Sequence, residues 1–273
     1  MSEDILLLHP GEMGSSIGAA LRSNGHTVRW VADGRSGRTK QRALDEGLAE
    51  VADLQSAIDE VDHVIVVCPP IAALDVAATV ADAGFDGIYV DANAISPGTA
   101  RGVRDIVGAG FVDGGIVGPP AWRTGTTRLY LSGVDAERVA AWFAGTLVDS
   151  RVIEGSASAL KMCYAAYTKG SSALLLAIRA LAASEGVTEA LLREWDISQH
   201  GLAARSEATA VGTSKKAWRF EGEMLEIAAT FADAELPDGF HQAAAEIYRR
   251  MSDLKELDDV DIERVVETLL HCK

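Results

Sequence analysis

Cysteine, proline and aromatic side chains are all scarce in this chain of 273 residues. The three cysteines, Cys68, Cys163 and Cys272, are an odd and scattered set. They exclude a disulfide framework, offer no metal-ligand spacing, and point to a reducing compartment. Positive charge is also short: 25 Lys and Arg stand against 40 Asp and Glu. A formal charge of -15 leaves no continuous basic surface to neutralise the phosphates of a nucleic acid. Long apolar runs are missing too, since the longest, 173–183, is broken by Arg179 and is too short to span a bilayer. The acidic start Met1-Ser2-Glu3-Asp4 does not read as a signal peptide. These absences predict a cytoplasmic protein that binds neither nucleic acid nor membrane and holds no metal.

What is present begins at once. The aliphatic run 4–8 stops at His9-Pro10-Gly11-Glu12-Met13-Gly14-Ser15-Ser16-Ile17-Gly18, and an amphipathic segment, 17–24, closes at Gly25. A buried strand, a glycine turn and a helix start are written in this order. Free N–H groups and the positive helix end make such a turn a diphosphate site, and only glycine lets backbone come that close to phosphate oxygens. A second strand, 28–31, follows on schedule.

The first half continues the alternation. Strands are predicted at 5–8, 28–31, 64–68, 88–91, 111–113 and 129–132, with helices at 39–46, 54–60, 71–83, 98–109 and 136–144. Strand–helix alternation implies crossover connections and a doubly wound, mostly parallel sheet covered on both faces, the Rossmann class of α/β fold. Beyond residue 154 only helices are predicted: 156–184, 188–198, 202–211, 218–232, 239–251 and 261–270. The expected division is a Rossmann domain over 1–153 and an all-α substrate and dimerisation domain over 154–273. Gly170, Ser171 and Ser172, midway along the long helix, suit close helix packing and a homodimer built on the C-terminal helices.

Which dinucleotide fits is written after the second strand. Asp33 suits NAD, whose ribose 2′-hydroxyl it would accept. Arg35 and Ser36, with Arg38 and Lys40 following, suit a 2′-phosphate, which Arg grips with two hydrogen bonds. The balance favours NADP(H), with NAD(H) left open.

The candidate chemistry lies at 155–168. Lys161 is the lone lysine on a small, apolar helix start, and Tyr164 and Thr168 follow it on one helix face. A lysine desolvated there is able to exchange a proton near neutrality, although a lysine of this kind also serves to lay its stem over apolar surface.

These segments resemble the β-hydroxyacid dehydrogenases, the group that includes the N-terminal domain of 6-phosphogluconate dehydrogenase, over nearly the whole length. Gly11, Gly14 and Gly18 match its glycine turn. Val67-Cys68-Pro69-Pro70 resembles the loop that lies along the cofactor, and 91–97 resembles D-x-S-T-x-S-P. Asp113 to Pro119 stands at the substrate-gripping D-A-P-V-S-G-G, and Gly155 to Ala165 fits G-x-G-x-x-x-K-x-x-N-N, with Lys161 on the catalytic lysine. The C-terminal half is similar to the branch with a phosphogluconate-dehydrogenase-like C-terminal domain. The resemblance implies a small-molecule substrate, a cofactor held along Gly11, Glu12, Met13, Gly14, Cys68, Pro69, Pro70 and Asn93, and catalysis by Lys161; the residues themselves add Arg35 and Ser36 to the cofactor site and Asn93, Ser96 and Tyr164 to the catalytic set. Substrate contacts are expected from Ser96, Val117, Gly118, Trp122, Lys161, Tyr164 and His241.

Three departures bear on the substrate. Val117 stands where the group keeps a carboxylate-binding serine, Tyr164 and Ala165 replace both asparagines after the lysine, and Gly222-Glu223 replaces a Lys-Asp pair. The expected activity is NADP(H)-dependent hydride transfer between nicotinamide and a small carbonyl or hydroxyl substrate, with Lys161 as general acid/base and with an imine reductase or a non-catalytic NADP-binding protein as alternatives. His9 is expected to pack beside the turn, and Lys169 to lie at the surface.

Overall fold

A computed structural model describes residues 2–271. Its contacts divide the chain into one unit ending at Met162 and one beginning at Cys163.

The first unit alternates strand and helix: β1 (Asp4–Leu8), α1 (Glu12–Ser23), β2 (Thr27–Val31), α2 (Gly37–Asp45), β3 (Ala49–Val51), α3 (Leu54–Ile58), β4 (His63–Val66), α4 (Ala73–Asp82), β5 (Ile88–Asp91), α5 (Pro97–Val107), β6 (Phe111–Val117), β7 (Thr127–Ser132), α6 (Ala136–Ala141) and β8 (Val148–Val152). A 3-10 turn over Pro70–Ala72 leads into α4. The strands form one eight-stranded sheet in the order β3-β2-β1-β4-β5-β6-β7-β8. Pairings from β3 to β6 are parallel, β7 runs against β6, and β8 is parallel to β7. The crossing from β1 by way of α1 to β2, and the later return from β3 to β4 on the other side of β1, is the doubly wound topology.

Alternation explains why β1 reads as an unbroken aliphatic run. Ile5 and Leu7 join the core on one face with Ile17, Leu21 and Trp30, and Leu6 and Leu8 join the opposite core with Val64, Val66 and Tyr89. A strand covered on both sides has no polar face to show.

The long helix α7 (Ala157–Ser184) starts in the first unit and continues into the second. The expected boundary at 153/154 falls where β8 ends, nine residues before the observed division. The first turns of α7 stay with the sheet because Asp113 of β6 binds Ser156 and Ser158.

The second unit is helical: the remainder of α7, then α8 (Thr188–Ser198), α9 (Leu202–Ser214), α10 (Ala217–Asp233), α11 (Gly239–Arg250) and α12 (Ile262–His271), with a 3-10 turn over Ser252–Glu256. Arg179 of α7, almost fully buried, donates to Ser206 Oγ of α9 at 2.5 Å. The Tyr248 hydroxyl of α11 donates to the Lys169 carbonyl at 2.8 Å. Lys169 is not at the surface as its sequence context suggests: its ammonium pairs with Glu223 of α10 and lies 4.9 Å from the Phe220 ring centre. Among the described residues no helix is long and apolar enough to cross a membrane.

Candidate functional site

The parallel strands end together at one edge, and the candidate residues of the first unit collect there. At the first crossing, β1 gives way to His9, whose φ is 64°. The Gly11 amide donates to the His9 carbonyl at 2.7 Å, and Gly11 then begins α1 with no side-chain cap. The first-turn amides, those of Glu12, Met13 and Gly14, therefore lack the partner that a capping side chain would supply. Gly14 is needed for the turn itself, because a Cβ there would lie 2.5 Å from the His9 carbonyl oxygen. A cradle of open amides whose glycine admits no side chain fits a diphosphate.

Beside the cradle lies a cavity of about 280 Å³ lined by His9, Asp33, Arg35, Asp53, Leu54 and Val80, among others. Arg35 is half-buried and donates to His9 Nδ1 and, through Nε, to the Asp33 carbonyl at 3.2 Å. Ser36 is exposed and caps α2, its Oγ accepting from the Thr39 amide at 3.2 Å.

The loops after β4 and β5 are locked together by Asn93. Its Oδ1 accepts from the Cys68 amide at 2.5 Å, while its own amide and Nδ2 donate to Asp91 at 2.9 Å each. Asn93 is thus fully engaged and 2% exposed, holding Cys68, Pro69 and Pro70 along the strand ends. Burial, and then the Asp91 carboxylate, push the Cys68 thiol up to about 12, so it stays protonated and unreactive. Ser96 begins α5, its Oγ accepting from the Thr99 amide at 3.1 Å ahead of Pro97 in the first turn.

Lys161 is delivered by α7. Asp113 accepts from Ser156 Oγ at 2.7 Å, from the Ser158 amide at 3.0 Å, and from the Ser158 hydroxyl. Gly115 gives the helix room, since a Cβ there would lie 2.8 Å from the Ala157 carbonyl oxygen and 3.1 Å from Lys161 Cβ. With α7 seated so closely, Lys161 Nζ donates to the Ile116 carbonyl at 2.7 Å. Val117, buried, and Gly118, at φ 117°, follow at the end of β6. The loop beyond is tied to the glycine turn: the Ala121 amide donates to Ser16 Oγ of α1 at 3.0 Å, and Trp122 next to it is 48% exposed.

Tyr164 and His241 belong to the second unit. Tyr164 is half-exposed. His241 is buried against Phe231, at 4.2 Å between ring centres, and burial lowers its pKa. Among the described residues no group of three or more His, Cys, Asp or Glu is placed to hold a metal ion.

Sequence reasoning noted Asp91 and Asp113 only as the first residues of two motifs, without the contacts they make, and missed the pairing of His9 with Arg35.

Comparison with known proteins agrees with this architecture. Residues 182–251 match the domain of unknown function DUF1932. An uncharacterized 28.5 kDa protein in the 7S RNA 5′ region of Methanothermus fervidus is 32% identical over 170 residues, 60% of this chain and just under two thirds, 65%, of that protein. The conserved protein MTH1747, of unknown function and described as structurally similar to 3-hydroxyacid dehydrogenases, is 28% identical, with a TM-score of 0.66 over 92% of this chain and 98% of its own. The 3-hydroxyisobutyrate dehydrogenase of Mycobacterium tuberculosis, solved with L-serine, is 19% identical, with a TM-score of 0.71 over 98% and 99%. Residues 182–251 thus match a DUF1932 domain, and the chain as a whole is similar in fold to the 3-hydroxyacid dehydrogenase-like proteins of the Rossmann group.

Proposed function

We propose that this protein is an NADP(H)-dependent oxidoreductase of β-hydroxyacid dehydrogenase type, acting on a small molecule that interconverts a carbonyl and a hydroxyl. The observation that carries the reading is the Lys161 ammonium, held 2.7 Å from the Ile116 carbonyl at the strand-end edge that also bears the glycine turn. When bound, a nicotinamide dinucleotide supplies or accepts the hydride. The amides of Glu12, Met13 and Gly14 would take its diphosphate, Arg35 and Ser36 its adenosine end, and the Cys68-Pro69-Pro70 loop would run alongside. Lys161 Nζ gives a proton to the substrate oxygen as a carbonyl is reduced and takes it back in the reverse direction. Ser96 and Asn93 shape the loop that faces the substrate. Tyr164, one turn beyond Lys161 on α7, is the hydroxyl available where the related proteins use an amide.

Val117 gives the substrate end an apolar side chain where a serine would hold a carboxylate, so simple aldehydes and imines rank beside hydroxy acids as substrates. The test is an assay of the protein with NADPH and NADH against small aldehydes, 3-hydroxy acids and cyclic imines. Turnover of aldehydes or hydroxy acids supports the reading. Turnover of imines alone makes the protein an imine reductase, and tight NADPH binding with no hydride exchange makes it a binding protein.

The homodimer belongs to the same proposal. On α7, Tyr164, Tyr167, Leu174 and Leu181 recur at helical spacing and are 47%, 68%, 47% and 62% exposed. Such a stripe suits a second copy packed along the helix. Light scattering that gives a monomer mass would reject it.

A further inference from the structure

A dinucleotide turn of the form G-x-G-x-x-G uses its first glycine for the tight turn, its second for close approach to the diphosphate, and its third for helix packing. In this chain the second and third are Gly11 and Gly14, but the first is His9. His9 nevertheless keeps the left-handed conformation, at φ 64°, which a residue with a Cβ adopts only at a cost.

Its side chain is engaged. The imidazole Nδ1 is hydrogen-bonded to Nη1 of Arg35, 26 residues later on the loop after β2. A guanidinium has no acceptor, so Nδ1 carries the lone pair and the ring proton sits on Nε2. Burial, and then the Arg35 charge, lower His9 to about 4, which keeps the ring in the neutral form that can accept. Arg35 is fixed from a second side by its Nε bond to the Asp33 carbonyl at 3.2 Å.

The partner's chemistry matters. A carboxylate in place of His9 would orient Arg35 equally well but would cancel its charge. A neutral imidazole orients the guanidinium and leaves the full positive charge for an incoming anion. Of the two carboxylates that line the same cavity, Asp53 is occupied in capping α3, accepting from the Ser56 amide at 2.9 Å. Asp33 stands where an NAD-type site would accept a ribose 2′-hydroxyl.

We propose that His9 is a specificity-determining residue: by accepting a hydrogen bond from Arg35 it holds the guanidinium at the end of β2, where the pair selects a nucleotide phosphorylated on the adenosine 2′ oxygen over one with a free hydroxyl. The inference rests on the dinucleotide reading above and acts through Arg35, so His9 is a positioning residue.

Calorimetric titration of the whole protein with NADPH, NADH, adenosine 2′,5′-bisphosphate and adenosine 5′-monophosphate tests it. The wild type should prefer NADPH over NADH and the bisphosphate over the monophosphate, each by about tenfold or more, the scale of a hydrogen bond to a charged group. His9→Gly, which suits the left-handed turn and should fold at least as well, should reduce both preferences by about tenfold while NADH binding changes little. His9→Asn should retain most of the preference, because its amide oxygen accepts and its backbone tolerates the same conformation. Full preference in His9→Gly, or equal affinity for both dinucleotides in the wild type, overturns the role of His9 and leaves dinucleotide binding intact. If the wild type takes up none of the four nucleotides, the dinucleotide reading itself fails.

Discussion

Asp113 and Ser158, 45 residues apart in the chain, are joined through both the amide and the hydroxyl of the serine, and this junction fixes where α7 begins on the sheet. The position of Lys161, one turn further on, follows from it. Asp113→Asn keeps the shape but turns one acceptor into a donor that faces buried donors. It should lower stability by about 2 kcal/mol, the cost of an unsatisfied buried group. It should also reduce kcat with little change in NADPH affinity. Urea unfolding and single-turnover kinetics check the two halves of the expectation.

Replacing Lys161 by Ala removes the proposed proton donor without touching the glycine turn. We expect kcat/KM to fall by about 10²–10⁴, the usual contribution of a positioned general acid or base. The dissociation constant for NADPH should stay within about twofold, since uniform binding is unaffected. An unchanged kcat would remove Lys161 from the chemistry.

Gly115→Ala should be harmful out of proportion to its size. The added methyl would stand 2.8 Å from the Ala157 carbonyl oxygen, so β6 and α7 have to part. A loss of about 1–3 kcal/mol is expected, together with a fall in kcat as Lys161 shifts. Gly212→Ala is the control: it lies in α9 with nothing within 4 Å of the new Cβ. That change should raise stability by about 0.5–1 kcal/mol through helix propensity. Equal melting shifts of the two variants would contradict the packing argument.

The Lys169–Glu223 pair is 14% and 12% exposed, and so largely withdrawn from water. Glu223→Ala strands the ammonium and should cost about 3 kcal/mol, whereas the double variant Lys169→Met, Glu223→Leu should recover most of the loss. Chemical denaturation of both variants and the wild type decides this; a double variant no better than the single one would refute it.

His9 also predicts a pH dependence. Its folded value of about 4 lies below the ordinary 6.5, so the unfolded chain binds the proton more readily. Stability from this group is complete above about 6.5 and is lost as pH falls toward 4. The slope of unfolding free energy against pH in that window should be shallower in His9→Gly than in the wild type. Identical slopes would show that His9 titrates alike in both states.

Much of this was legible in the residues. The strands at 5–8, 28–31 and 88–91 and the helix at 188–198 are where their patterns put them, within a residue or so. β3 and β8 were missed, for a physical reason: both lie at the ends of the sheet, and Ala49–Val51 and Val148–Val152 expose most of their side chains, so no apolar alternation marks them. α1 begins at Glu12 rather than at residue 17, because its first turn, Glu12-Met13-Gly14-Ser15, carries a single apolar side chain and so no amphipathic pattern to mark it. Lys161 stood out as a candidate by its solitary place on an apolar helix start. Asp113, Asp91 and the partnership of His9 with Arg35 did not, because each gains its meaning from a residue brought close only by folding.

The reversal of direction between β6 and β7 has a consequence for how such proteins diversify. Because β7 returns beside β6, the stretch from Gly118 to Thr126 closes as a hairpin tip at the same edge as the glycine turn, yet it carries no strand of the parallel array. Its tether there is the hydroxyl of Ser16. Insertions or exchanges around Trp122 can therefore reshape this tip while the frame beneath keeps its register.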